Sequence, residues 1–219
     1  MQRVPEREYM DDPAEARAYA DADFSAVNEQ FVEDLCKFAG EGRDLRCVDL
    51  GCGPADIPIR LAKARPTWEI TAVDAAPAML SIASNAVRQA GVADRVRLIC
   101  VDAGRTGLPT EDFDGVLSNS ILHHMPDPLR LWREIKRIVA PGGWVFLRDL
   151  ARPVNAAEAR RLVEQHSGDE SELLKEEFHR SLLSAFTPAE IRDQLQAIGL
   201  TTLTVRTVSD RHLDVTGRL

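Results

Sequence analysis

The chain has 219 residues, 44% hydrophobic and 28% charged. That is ordinary globular usage with enough apolar material for a core, which excludes a collagen-like chain, a disordered tail and a small disulfide scaffold. Lys and Arg number 27 against 35 Asp and Glu, a net charge of −8, a poor start for holding nucleic acid, whose partners displace counterions with a basic stripe.

At about 150 residues per domain, one large domain is the simplest organisation. Cys36, Cys47, Cys52 and Cys100 form no CxxC pair and no zinc spacing. Three of them lie in or beside apolar runs, as free thiols do in a reducing cytoplasm. The N-terminal MQRVPEREYMDDP is charged and lacks an apolar stretch, unlike a secretory signal. No apolar run approaches the roughly 18 residues of a membrane span. The expected location is therefore the cytoplasm, with no membrane and no nucleic acid as partner.

In chain order, Ala14–Tyr19 and Val27–Ala39 carry apolar residues at helical spacing. Arg46–Leu50 reads as a strand ending at Gly51-Cys52-Gly53, followed by a helix near Asp56–Ala64. Trp68–Val73 is a second strand, and Pro77–Gln89 a helix with proline at its first position, where the missing N–H costs nothing. Val96–Val101 and Phe113–Ser118 are the third and fourth strands. Asp127-Pro128 opens a helix that runs to about Val139 and stops at Pro141-Gly142-Gly143, before a fifth strand at Trp144–Leu150. Ala156–His166 and Glu172–Ser184 are helical, separated by Ser167-Gly168-Asp169. Thr187-Pro188-Ala189-Glu190 is a capping box for a helix ending at Gly199. Leu200–Val208 alternates like a strand, and His212–Leu219 is a short last one.

Strand–helix alternation at this spacing predicts an α/β fold, doubly wound, with a mostly parallel Rossmann-like sheet whose ligands lie beyond the carboxyl ends of the strands. Residues 1–44 form an N-terminal helical cover, 45–150 a core, 151–186 a helical insertion, and 187–219 the last helix and strands. All belong to a single domain. The N-terminal helices are free to pack over the ligand edge.

The chemistry-bearing signal begins at Val48-Asp49-Leu50-Gly51-Cys52-Gly53-Pro54-Ala55. Glycines let the backbone turn sharply and approach a ligand, and the following helix offers unpaired N–H groups. Taken alone it is equally a tight strand-to-helix turn. Asp74 ends the second strand, where it can accept from ribose hydroxyls. Asp102 follows the third, where it can accept from an adenine amino group. Asp49 sits just before the turn, placed to engage an ammonium group directly or through water. Met79 can pack on an adenine face. Each aspartate alone reads as a solvated strand-end residue; together they mark one site.

This ordered set resembles the class I S-adenosylmethionine-dependent methyltransferases. VDLGCGPA resembles their first motif, with Ala55 where a third glycine is common. AVDAAPAML resembles the ribose segment, VDAGRTGLP the adenine segment, FDGVLSNSILHHMPDP the fourth motif and its extension, and IVAPGGWVFLRDL the turn and fifth strand. The resemblance spans roughly residues 10 to 208. It implies a seven-stranded sheet and S-adenosylmethionine as cofactor. It places Gly51 and Gly53 against the methionine moiety, with Cys52 using its backbone, and Asp74 on the ribose. Ala75 and Met79 flank the adenine, and Asp102 and Ala103 hold its amine and ring. Asn119 and Ser120 stand near the sulfonium. Tyr19, within DDPAEARAYADADF, resembles an N-terminal tyrosine that some members fold over the cofactor. The resemblance says nothing of the acceptor.

His123 and His124 are candidate catalytic residues, as a general base or cleft wall beside the transferred methyl. The bland reading has one histidine capping a loop while the other touches cofactor. A metal would recruit Asp127, but adjacent histidines point in different directions and no third is near, so no metal is expected. Arg130, Arg133, Lys136 and Arg137 read as a solvated helix face. In the insertion, Phe178, His179 and Phe186 either line the acceptor pocket or fill a two-helix core, as do Leu162, Leu173 and Leu174.

The expected reaction is in-line methyl transfer to a small-molecule acceptor, where binding and orientation supply much of the acceleration. Two alternatives share the sheet: a nicotinamide-dependent oxidoreductase, disfavoured by the missing third glycine, and a non-catalytic S-adenosylmethionine-binding protein. Asn119-Ser120 differs from the Asn/Asp-Pro-Pro-aromatic signature of enzymes that methylate planar amino nitrogens, which disfavours a nucleic-acid base as acceptor. The N-terminal helices and the insertion offer surfaces on which a homodimer could form.

Overall fold

The computed structural model describes residues 1–5, 12–41, 44–168 and 170–219. Parts of the expected N-terminal cover (6–11, 42–43) and Asp169 of the expected break lie outside these.

Helix α1 (Pro13–Asp21) starts where the Asp12 carboxylate accepts the N–H groups of Ala14 and Glu15, with Pro13 as its first residue. Helix α2 (Ser25–Ala39) buries Phe31, Val32 and Leu35 on one stripe and ends at Gly40, φ +87°. Strand β1 (Arg46–Leu50) then enters the core, and α3 (Asp56–Ala64), β2 (Glu69–Asp74), α4 (Pro77–Gln89), β3 (Val96–Cys100) and β4 (Phe113–Asn119) follow. A single 3-10 turn, Leu122–His124, leads to α5 (Pro128–Ile138), capped by Asp127 onto Leu129. After β5 (Val139–Leu150) come α6 (Ala156–Ser167), α7 (Glu172–Ser184) and α8 (Pro188–Ala197). The capping box at Thr187 and Glu190 forms in full. Strands β6 (Thr204–Thr207) and β7 (His212–Arg218) close the chain.

The seven strands form one sheet in the order β3-β2-β1-β4-β5-β7-β6. The first five pair in parallel; β7 runs antiparallel to both β5 and β6. The chain winds outward from β1 through β2 to β3, then restarts at β4 on the other side. The β1/β4 boundary is thus the topological switch point, where a crevice opens beyond the strand ends. One face of the sheet packs Leu131, Trp132 and Ile135 of α5 and Ile191 and Leu195 of α8 against Val145, Leu147 and Leu213. The other packs Phe31 and Leu35 of α2, Leu61 of α3 and Ala83 and Val87 of α4 against Phe146 and Ile70. Each fully buried large side chain here contributes about 1.5–3 kcal/mol.

Two boundaries differ from the sequence expectation. Helix α5 ends at Ile138, and the strand takes over at once, running through Pro141-Gly142-Gly143 rather than starting after it. The glycines keep their backbone in the sheet because the C-terminus pairs there: Gly142 N–H donates to Leu219 O at 2.5 Å and Leu219 N–H to Gly143 O at 3.0 Å. The β4/β5 register slips between Phe113 and Gly115 to absorb the turn. Strand β6 is shorter than the alternation of 200–208 suggests, because Leu200–Leu203 is a turn whose leucines anchor the core.

Gly115 lies opposite Trp144, and a Cβ there would stand 2.1 Å from the indole. Trp144 is 1% exposed, so making room for the methyl would disturb its packing. Gly115→Ala is expected to lower unfolding free energy in urea by about 1–3 kcal/mol, the usual cost of overpacking; an unchanged midpoint would contradict this packing.

Candidate functional site

The turn after β1 is held from β2. Gly51 and Cys52 both donate their N–H to Val73 O, at 2.8 and 2.9 Å. Gly51 adopts φ +79°, and a Cβ there would lie 2.6 Å from Ile121 Cδ1, so conformation and space both demand glycine. At Gly53, φ +52°, a Cβ would meet nothing within 4 Å. Ala55 takes the left-handed region, φ 69° and ψ 25°, while fully buried. Alanine therefore substitutes for a third glycine at a cost of about 1–2 kcal/mol of backbone strain.

Asp74 ties this turn to α4: Oδ2 accepts from Gly53 N–H at 2.8 Å and Oδ1 from Ala76 N–H at 2.9 Å. Burial raises its pKa, opposed by those N–H groups. Asp102 accepts from Gly104 N–H at 2.6 Å and pairs with Arg130 Nη2 at 2.9 Å. Arg130 makes this pair from the exposed face expected for it, which it shares with Arg133 and Lys136. Arg137 likewise pairs with Glu134 at 2.6 Å.

These residues surround one cavity of about 680 Å³ at the carboxyl edge of the sheet. Tyr19, Gly51, Gly53, Asp74, Ala75, Met79, Asp102, Ala103, Asn119 and Ser120 line it, as do His123 and His124. Tyr19 packs on Phe24 at 4.9 Å between ring centroids, and its phenol is pushed up first by burial, then by Asp74 and Asp56. Asp49 and Cys52 do not reach the wall. Both are buried beneath the turn, Cys52 with its thiol pushed well up by burial. Asp49 is 2% exposed, and no donor among the described residues reaches its carboxyl. Burial, then the neighbouring Asp74, pushes its pKa to about 8.

The other half of the cavity comes from distant segments. Val27, Gln30 and Asp34 of α2, Leu174, Phe178 and Ser181 of α7, and Arg148, Leu150, Arg211 and His212 from β5 and the β6–β7 turn face it. Of the insertion candidates, Phe178 and Leu174 line the cavity. Leu162 is core, Leu173 is exposed, and His179 is off the wall. Phe186 lies in the core with the Arg3 guanidinium 4.0 Å above its ring.

The two histidines do not diverge. The 3-10 turn stacks their rings at 4.2 Å, tilted by 36°. His123 Nδ1 lies 2.5 Å from Asp149 Oδ1, both side chains 2% exposed. Asp149 also accepts from Leu122 and Leu150 N–H, each at 2.6 Å. Burial raises its pKa, but His123 and these donors outweigh it and hold the carboxyl below its ordinary range. Asp149 was not among the sequence candidates, nor was Arg148, whose guanidinium is ionically paired to Asp214 and Asp34. The available signal was charge, Arg-Asp inside the otherwise apolar WVFLRDL. Among the described residues, no group of three or more His, Cys, Asp or Glu is placed to hold a metal, and no helix is long and apolar enough to cross a membrane.

Residues 48–147 match the model of a methyltransferase domain. The chain is 32% identical over 144 residues to 27-O-demethylrifamycin SV methyltransferase of Amycolatopsis mediterranei, covering 64% of this chain and 53% of that protein. It is 32% identical over 130 residues to the ubiquinone biosynthesis O-methyltransferase of Bordetella avium, covering 58% and 52%. It therefore spans about half the length of these curated relatives. A solved SAM-dependent methyltransferase from Aquifex aeolicus superposes with a TM-score of 0.71 at 18% identity, covering 94% of this chain and 98% of that one.

Asp49 makes a pH prediction. Between its ordinary pKa and about 8, the unfolded chain ionises this carboxyl while the native protein keeps it protonated. The native state then binds more protons, so its stability falls as pH rises through that window. Asp49→Asn is expected to leave the urea midpoint of the unliganded protein unchanged near the lower bound and to raise it near the upper. Equal midpoints at both ends would contradict the burial of an unpartnered carboxyl.

Proposed function

We propose that this chain, a class I S-adenosylmethionine-dependent methyltransferase by its ordered motifs, matched domain and fold, transfers a methyl group to a small-molecule acceptor. The observation that carries the reading is the row of carboxylates along β1, β2 and β3 beside one cavity. Asp74 lies at the end of β2 and Asp102 just past β3, both on the wall, and Asp49 is buried behind it.

The residues fit the cofactor. A carboxylate has about four acceptor positions; Gly53 and Ala76 use two on Asp74, and the rest would accept from ribose hydroxyls. The buried, unpartnered carboxyl of Asp49 suits an ammonium group just beyond it, which would draw it to the ionised form. Gly51 and Gly53 bring bare backbone to the cavity, with Cys52 contributing only main chain. Met79, Ala75 and Ala103 would flank an adenine, and Asp102 would accept from its amine. Tyr19 closes over from α1, and Asn119 and Ser120 stand at the switch point. When bound, the cofactor supplies an electrophilic methyl on a sulfonium.

The chain's own part is orientation and proton handling. Asp149 fixes His123 through Nδ1, the arrangement that sets a histidine's tautomer and supports it as a base. His123 takes the proton of an acceptor that arrives protonated, with His124 stacked beside it as cavity wall. Two relatives named for O-methylation favour a hydroxyl acceptor. The chain's negative charge and free cysteines suit the cytoplasm.

Calorimetric titration with S-adenosylmethionine and S-adenosylhomocysteine tests the reading, with NADH as control. Both adenosyl ligands should bind at micromolar strength. Asp74→Ala should weaken them about 100-fold, through the lost ribose bonds and two stranded backbone donors. Folded protein that ignores both ligands, or prefers NADH, would sink it.

A further inference from the structure

Resting on the methyl-transfer reading above, we infer that the acceptor half of the cavity takes an uncharged molecule, holds its carbonyl or hydroxyl oxygen on Arg148 Nη1, and rejects carboxylates and phosphates. Arg148 lines the cavity while only 9% exposed. Its Nε meets Asp214 Oδ1 at 2.6 Å, and its Nη2 meets Asp214 Oδ2 at 2.8 Å and Asp34 Oδ2 at 3.1 Å. A guanidinium has five N–H donors. The two on Nη1 find no acceptor among the described residues, which leaves them open to solvent or to a ligand.

The charge around this donor decides which ligand. One guanidinium faces two carboxylates, so the cluster is already net negative. Exposed Lys37 comes only within 3.8 Å of Asp34, a weak surface pair. Arg211, the other guanidinium on this wall, is matched by Asp210 at 3.2 Å and turned onto His166 at 2.9 Å. His212 is neutral above about pH 4, because burial and the two arginines disfavour its charged form. An arriving anion would therefore meet a good donor but no net positive charge, and would stand beside two carboxylates in a poorly solvated pocket. A neutral oxygen gains the same hydrogen bonds without that repulsion. Phe178, Leu174 and Val27 provide apolar wall for the body of the molecule.

The test uses the whole chain saturated with S-adenosylhomocysteine. The probes are the methyl esters and the free acids of 4-hydroxybenzoate, 4-hydroxycinnamate and 6-hydroxy-2-naphthoate. Affinity is read by ligand-observed NMR at about pH 7.5, where the acids are ionised. Esters should bind, and exceed their acids by about tenfold or more. Asp34→Asn removes one of the two carboxylates on Arg148 while keeping an acceptor oxygen, and should narrow the gap between esters and acids about fivefold. Arg148→Lys keeps the charge but loses the planar fork, and should weaken the esters. Acids that match or beat esters, an Asp34→Asn variant with the gap intact, or no binding by any pair would overturn the inference. Failure of S-adenosylhomocysteine to bind is the separate outcome that removes the methyl-transfer reading, and this inference with it.

Discussion

The site depends on one half-buried carboxylate. Asp74 ends β2 and accepts two backbone N–H groups, one from the turn after β1 and one from the start of α4. Val73, the residue before it, takes the N–H groups of Gly51 and Cys52. The parallel register that sets Leu50 beside Val73 therefore places four donors of two loops on two consecutive residues. Each donor stranded without a partner would cost about 1–3 kcal/mol, so turn, helix start and strand end form one unit. Glycine at position 51 follows from this, since Ile121 fills the space a side chain would need.

Around that unit, buried charges are satisfied to very different degrees. Asp149 accepts from His123 and two backbone donors and is held ionised despite being 1% exposed. Arg148 meets two carboxylates. Asp49 has no donor among the described residues and is driven toward its neutral form. A fully satisfied buried charge rigidifies its neighbours, whereas an unsatisfied one lowers stability until something else supplies the partner. Asp149 is scaffold, whereas Arg148 keeps its Nη1 donors, and Asp49 its carboxyl, without a partner among the described residues.

Much of the sheet and the glycine turn was legible because both are written locally. Pro13, Pro77, Pro128 and Pro188 stand at helix starts, and the carboxylates follow successive strands. What escaped depends on pairing across long separations. The Arg148–Asp214 ion pair joins residues 66 apart through the antiparallel β5/β7 register, which no local pattern encodes. The course of β5 through Pro141-Gly142-Gly143 depends on Leu219 arriving to pair with it. The stacking of His123 on His124 needed the 3-10 turn, since helix or strand periodicity would have splayed them. Asp49 and Cys52 lie behind the wall because β1 is a central strand covered on both faces.

The same division separates what the two halves of the cavity can disclose. The strand-end half is assembled from short loops within residues 51–120, with Tyr19 added from α1, so most of its chemistry appears in the sequence as motifs. The other half is assembled from α2, α7 and the β6–β7 turn, and its geometry is held by contacts that span most of the chain. Arg3 is one: its guanidinium donates to Ser184 O at 2.6 Å and to His123 O at 2.9 Å, while Val4 N–H donates to Leu183 O at 3.0 Å. The first residues thereby bind the end of α7 to the histidine turn. A change there would shift the acceptor wall against the turn without touching the glycine loop or Asp74. Acceptor preference can thus be retuned through remote packing while the strand-end half stays as it is, because the two share the cavity but not the interactions that position them.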